Sequence, residues 1–291
     1  MKNIPKDQIN LKQNLIAYIH HLSSQRLDRR IQYIKTALHG GAVASAIYLA
    51  AVTHLSTTLP ARDQLDVGAT TSTLQLQLSQ KDKIKVVALV TSTNFDKPVG
   101  PTIATGWRLR NPDPAPVPDF DKVRAQKPDE HWIPAYLTSE VVPFSRRILS
   151  LKPRLGSPVG VNDAWNSFVG EEWIRNTYLP LMADSFPSMS DTLLQHPGVP
   201  CELYNSREDV LRATLFNNTI TLDIEFKRRI PREGIQWTFT RVTTRSLDAG
   251  RMDLDITICD PKMEVLCLAR QAVLVLKAKK KFQTEKQKSS L

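Results

Sequence analysis

The sequence predicts an α+β fold in which a buried helix followed by antiparallel sheet occurs twice. Three observations predict it. From Thr219 to Leu276 apolar residues recur through four consecutive runs, most of them at the alternating spacing of half-buried antiparallel strands. From Ala42 to Leu55 alanines and aliphatics occupy all sides of a helical pattern, and two extended runs, Ser72 to Ser79 and Ile84 to Thr93, come after it. Between the two halves proline occurs four times from Asn111 to Pro118, a linker composition.

In chain order, Leu11, Leu15, Ile16, Ile19, Leu22, Leu27, Ile31 and Ile34 fall at roughly helical spacing, so residues 1–36 read as a helical extension. His39-Gly40-Gly41 then opens the buried helix. Two glycines there allow close backbone approach, and a helix start leaves amide N–H groups that can hold a carbonyl oxygen or an anion. The plain alternative is that the glycines only relieve crowding. Residues 37–110 form the first unit and 111–160 a proline-rich linker. A second helical region starts near Val161, carries Trp165, Phe168, Trp173 and Leu179, and runs into Met182-Ala183-Asp184-Ser185-Phe186-Pro187.

The strands of the second unit, residues 161–278, follow. In Thr219 to Phe226 the apolar side is Ile220, Leu222, Ile224 and Phe226. Ile235, Trp237 and Phe239 make the next apolar row. Asp248-Ala249-Gly250 is a turn, Met252, Leu254, Ile256 and Ile258 form the third row, and Asp260-Pro261 turns again. The last run, Val265 to Leu276, is apolar at nearly every position, as in a strand covered on both faces. Gln271 interrupts it, in the row of Cys267, Ala269, Val273 and Val275. An unpaired amide there would cost about 1–3 kcal/mol, so Gln271 is expected to have a partner or a task.

Composition narrows the function classes. The chain has 291 residues, 41% hydrophobic and 23% charged, and no apolar run reaches the roughly 18 residues of a membrane span. The first residues lack the apolar stretch of a secretory signal, and three scattered cysteines make no disulfide framework, so a reducing, cytoplasmic setting is expected. Of the net charge of +10, half sits in the basic tail: Lys277 to Leu291 holds six lysines and one glutamate. Residues 279–291 read as a solvated extension, and no nucleic-acid-binding motif accompanies them, so no nucleic-acid partner is expected. The final Ser289-Ser290-Leu291 resembles a degenerate peroxisomal address, the alternative localisation.

Several pieces taken together resemble one family. They are His39-Gly40-Gly41 with its helix, Gly106-Trp107 before the prolines, Met182 to Pro187, Thr219 to Phe226, Gly250-Arg251 before Asp253-Leu254, and Arg270-Gln271. In this order they resemble the double hot-dog proteins of the acyl-CoA thioesterase II type, above all a fungal thioesterase-like branch, over roughly residues 35–278. The resemblance implies two hot-dog folds in one chain, hydrolysis of an acyl-CoA or other acyl thioester, and neither metal nor cofactor. It implies Asp184, Thr219 and Gln271 as the catalytic set holding a water, with Thr221 the competitor of Thr219 if the register is off by two. It also implies substrate binding at His39, Gly40 and Gly41.

Only about 16 residues separate Leu55 from Ser72, too few for two paired strands of average length with their turns, so the first hot-dog is expected to be incomplete. An incomplete sheet leaves an open edge, which favours a homo-oligomer. Three functions are consistent with these residues. One is a hydrolase of fatty or polyketide acyl thioesters, as in fungal secondary metabolism, which requires Asp184, Thr219 and Gln271 to converge. Another is a non-hydrolytic hot-dog protein that binds or tailors a hydrophobic metabolite, with those side chains apart. The third is a non-catalytic interaction module.

Overall fold

The computed structural model describes residues 40–58, 71–80, 82–93, 95, 100–137, 143–185, 197–206, 208–209 and 215–277. The expected helical extension, His39, the basic tail and the terminal Ser289-Ser290-Leu291 lie outside these residues. The chain divides into two compact units, Met1–Thr105 and Gly106–Leu291.

The described part of the first unit is helix α1 (Gly40–Thr58) with the antiparallel hairpin β1 (Thr71–Gln80) and β2 (Lys83–Thr93). Leu74, Leu76 and Leu78 lie opposite Val90, Ala88 and Val86, so one face of the hairpin is aliphatic, and α1 packs against both strands. The helix was expected to be buried all round. Within this unit it buries one stripe, Gly41, Ser45, Ala46, Ala50 and Ala51, while Val52 is exposed. Small residues on that stripe let the helix lie close to its neighbours. The hairpin forms a sheet of two strands only, among the described residues.

The second unit is one seven-stranded antiparallel sheet in the order β3 (Trp132–Pro134), β4 (Ile148–Pro153), β5 (Val161–Phe168), β7 (Thr238–Asp248), β8 (Arg251–Cys259), β9 (Val265–Lys277), β6 (Leu215–Phe226). Among the described residues two short α-helices belong to it, α2 (Phe120–Arg124) and α3 (Leu179–Ser185). β6, β8 and β9 fall on the runs read as strands, whereas β7 begins at Thr238, so that of the row Ile235, Trp237 and Phe239 only Phe239 lies in it, and Ile235 packs on the opposite core from the other two. Ala249 and Gly250 join β7 to β8, both with positive φ, the conformation of a tight two-residue hairpin. Gly250 is also required by space: a Cβ there would lie 2.9 Å from the Val275 carbonyl oxygen. At the next turn Asp260 accepts the backbone N–H of Lys262 and Glu264.

Two apolar layers lie on opposite faces of this sheet. On one face Met252, Leu254, Ile256, Ile258, Cys267, Ala269 and Val273 pack with Leu179, Met182 and Ala183 of α3. On the other face Trp132, Leu151, Trp165, Trp237 and Phe239 form an aromatic core. The segment read as a linker covers this second core. Ala115, Phe120 and Val123 pack onto it, the Trp132 indole donates to the Pro116 carbonyl at 2.6 Å, and residues 132–134 and 148–153 are strands. Prolines here shape an extended covering layer rather than a spacer.

The region from Val161, expected as helix, is strand β5, and all eight of its residues are buried. Two of its polar members, Asp163 and Asn166, are paired across the sheet. Asp163 meets Arg241, its cross-strand partner, through two hydrogen bonds of 2.7 Å. Ser150 donates to the Asn166 Oδ1 at 2.8 Å, and Asn166 donates to Thr240 at 3.4 Å. A strand covered on both faces loses the alternation that identifies strands, and its apolar residues then mimic a helical face. The last strand shows the reverse difference. β9 buries the row of Gln271, while Arg270 and Leu276 on the other face are exposed.

Cys259 and Cys267 are buried, and burial pushes both thiols up to about 12. The folded protein therefore holds protons that an unfolded chain releases above about pH 9. This contribution is complete below that pH and is lost at up to about 1.4 kcal/mol per thiol per pH unit as the pH rises toward 12. At neutral pH both groups are inert thiols. Iodoacetamide at pH 8, read by mass spectrometry, is expected to label them only after unfolding; labelling of the folded chain would contradict this placement.

Candidate active site

Each of the three candidate catalytic side chains comes from a different element of the second unit. α3 is anchored by Leu179, Met182 and Ala183, the i, i+3, i+4 stripe of an amphipathic helix, and packs against β6, β8 and β9. Asp184 follows on the edge of that stripe and is half-buried against the sheet. Gln271 lies in the middle of β9, opposite Leu254 of β8 and Leu222 of β6, and is only 7% exposed.

Thr219 reaches the same point because β6 is irregular. Its pairing with β9 runs from Phe226 opposite Cys267 to Leu222 opposite Gln271, then shifts so that Thr221 faces Ala272 and Thr219 faces Val273. Such a bulge leaves one residue unpaired and resets the alternation. The sequence pattern puts Ile220 on the apolar side with Leu222, Ile224 and Phe226. In the structure Ile220 is 57% exposed and Thr221 is exposed, while Thr219 turns to the inner side. Of the two threonines, the bulge brings only Thr219 to the other two side chains.

The three make a closed triangle. The Thr219 hydroxyl donates to the Asp184 Oδ1 at 2.7 Å, Gln271 Nε2 donates to the same oxygen, and Gln271 Nε2 also donates to the Thr219 Oγ1 at 2.9 Å. The amide that interrupts an apolar row is thus satisfied by the two other candidates. Thr219 acts as donor and acceptor at once, so the three orientations fix one another. A carboxylate held by two donors is placed to take a proton from a bound water. Charge-assisted bonds of this kind are about twice as strong as neutral ones.

Gly40 and Gly41 open α1 in the first unit. On the α3 side of the sheet, Ser150, Asn166 and Thr240 form a buried polar ladder that no sequence pattern singles out. They are separated in sequence, and only the order β4-β5-β7 joins them.

An antiparallel sheet with a helix packed on one face is the hot-dog arrangement, and solved structures of that class are similar to this chain. An acyl-CoA thioesterase II, TesB2 from Mycobacterium marinum, aligns with TM-score 0.50 at 12% identity, covering 83% of this chain and 91% of that one. A putative thioesterase from Novosphingobium aromaticivorans aligns with TM-score 0.51 at 12% identity, covering 72% and 69%. Residues 111–275 match the family model of the acyl-CoA thioesterase C-terminal domain, and the chain belongs to that family. A curated relative, the thioesterase-like protein TwmA of Talaromyces wortmannii, is 28% identical over 214 residues, covering 66% of this chain. The chain spans 60% of the length of that relative. Among the described residues no helix is long and apolar enough to cross a membrane.

Proposed function

We propose that this protein hydrolyses an acyl thioester, with an acyl-CoA carrying a fatty or polyketide chain as substrate, through a water activated by Asp184, Thr219 and Gln271. The observation that carries the proposal is the triangle of hydrogen bonds among these side chains, drawn from three elements far apart in sequence. A non-hydrolytic binding protein has no need of that convergence.

The chemistry follows from the groups. Asp184 takes a proton from the water, whose oxygen attacks the thioester carbonyl carbon. The carbonyl oxygen becomes an oxyanion, the C–S bond breaks as the carbonyl re-forms, and the departing thiolate takes up the proton. The products are a free acid and a thiol. Thr219 and Gln271 hold the carboxylate and the water in line, so that little ordering remains to be done in the transition state. Assignment of His39, Gly40 and Gly41 to substrate binding belongs to the same proposal.

Release of free thiol from short, medium and long acyl-CoA esters tests it. Turnover of at least one ester is expected; a folded protein that turns over none would overturn the proposal. Substitution at the bulge adds a finer test. Thr219→Val removes a hydrogen bond to a charged group, worth about 1.5–3 kcal/mol, and is expected to lower kcat/KM by about 10–150-fold. Thr221→Val, on the exposed face of the same strand, is expected to leave it unchanged.

A further inference from the structure

A groove of about 640 Å³ lies on the aromatic side of the sheet, between α2 and the turn that follows β5. Its apolar walls include Val123, Leu149, Leu151, Val169, Trp173 and Trp237. Leu151 and Trp237 belong to the aromatic core, whereas the row of Gln271 faces α3 on the other side, so this groove is separate from the catalytic triangle. Its volume lies in the range of about 300–1,000 Å³ typical of small-molecule sites.

The walls are held in place without a ligand. Trp237 is buried and stacks on Phe120 with ring centroids 4.8 Å apart. Trp173 is 39% exposed, yet its backbone is fixed: the next residue, Ile174, exchanges two backbone hydrogen bonds with Ile235. Gly234 lies so close beneath that a Cβ there would come 2.8 Å from the Trp173 Cβ. An exposed indole on a rigid backbone is a ready contact surface with little entropy left to lose.

The charges around the groove give the sign of the ligand. Its two wall carboxylates are already engaged. Asp129 accepts the backbone N–H of His131, Trp132 and Asp119, and Glu172 is held by Arg147 and the Tyr178 hydroxyl. Of the wall cations, Arg124 is held by Asp121 and Gln236, and Arg154 by Glu202. Lys127 also lines the groove, and no carboxylate among the described residues pairs with it. An apolar trough with an uncommitted ammonium at its wall is complementary to an amphiphilic anion.

We propose that this groove binds an apolar monocarboxylate, with its hydrocarbon body against Trp173, Val169 and Leu149 and its carboxylate at Lys127. An alkyl acid and an aromatic acid share that chemistry. Tryptophan fluorescence of the full chain, titrated with decanoate, 2-naphthoate and the neutral decanol, distinguishes them and tests the charge. Saturable binding of at least one acid is expected, with decanol at least about tenfold weaker. Lys127→Glu and Trp173→Ala are each expected to weaken the acid by about tenfold or more. Val169→Glu, at an exposed wall position, is a second block should Trp173→Ala fail to fold. Asp184→Asn is expected to bind as wild type does, which keeps this proposal independent of the hydrolysis proposal. Absence of saturable binding by wild type, an affinity unchanged in Lys127→Glu, or loss of binding in Asp184→Asn would each overturn it.

Discussion

Replacing Asp184 by alanine is expected to lower kcat for acyl-CoA hydrolysis by about 10²–10⁴-fold, the usual contribution of a positioned general base. KM is expected to change little, because the proton moves only in the transition state and a loss confined to that state lowers kcat and kcat/KM together. Alanine has a second effect. Gln271 and Thr219 both donate to Asp184, so its removal strips an acceptor from a nearly buried amide, at a stability cost of about 1–3 kcal/mol. Asp184→Asn separates the two effects, since an asparagine oxygen still accepts but takes no proton from water. A folded Asn variant with the full kinetic loss supports the general-base role. An Asn variant within about threefold of wild type would exclude it.

How far the site was legible can be traced residue by residue. Gln271 was marked by physics alone, because a polar side chain in the middle of an apolar row needs a partner. Asp184 and Thr219 carry no such mark: one follows a short amphipathic helix and the other stands near a strand end, and only the resemblance singled them out. Thr219 was also on the wrong side of its strand by alternation. A bulge between Thr219 and Thr221 depends on the pairing with β9, a contact between distant residues that leaves no trace in the local pattern.

The fold divides the same way. β6 and β8 are legible because each turns one face inward and wets the other, and β9 by its nearly continuous apolar run; β7 buries both faces from Thr238 to Val242, and only Phe239 of the marked row lies in it. β5 is not legible, because its Asp163 and Asn166 are satisfied by β4 and β7 and its apolar residues are covered on both sides. Residues 111–160 read as a linker from their prolines, yet Ala115, Phe120 and Val123 cover an aromatic core that joins Trp132, Leu151 and Trp165 to Trp237 and Phe239, more than a hundred residues later along the chain. Burial by a partner far away in sequence erases the periodicity on which local inference depends. The parts that escaped are those whose structure is set by long-range cover.

Arg241 is where that cover is tied down, and its loss is expected to have the largest effect on stability. Its guanidinium makes a bidentate pair with Asp163 at 2.7 Å, the two side chains being 3% and 5% exposed, and also donates to the carbonyls of Arg110 and Pro112. Arg241→Met strands a buried carboxylate and frees the covering segment. Breaking such a pair costs about 3–5 kcal/mol, or roughly 6–20 °C in Tm for a unit of this size. Arg241→Lys is expected to recover little of it, since an ammonium cannot make the planar two-point contact and still reach both carbonyls. The double variant Asp163→Leu, Arg241→Met is expected to regain most of the loss, because it removes the buried charge together with its partner. The pH dependence gives a separate check. Burial raises the Asp163 carboxyl, against the opposing pull of Arg241, and in Arg241→Met only burial remains. With the folded carboxyl raised, stability is intact below the unfolded carboxylate range and is lost as pH rises through the folded value. The single variant is therefore expected to lie closer to wild type in acid melts than at neutral pH. A deficit that stays the same from neutral to acid pH would mean that the energy of this contact lies in the Arg110 and Pro112 carbonyls, which do not titrate, rather than in the ion pair.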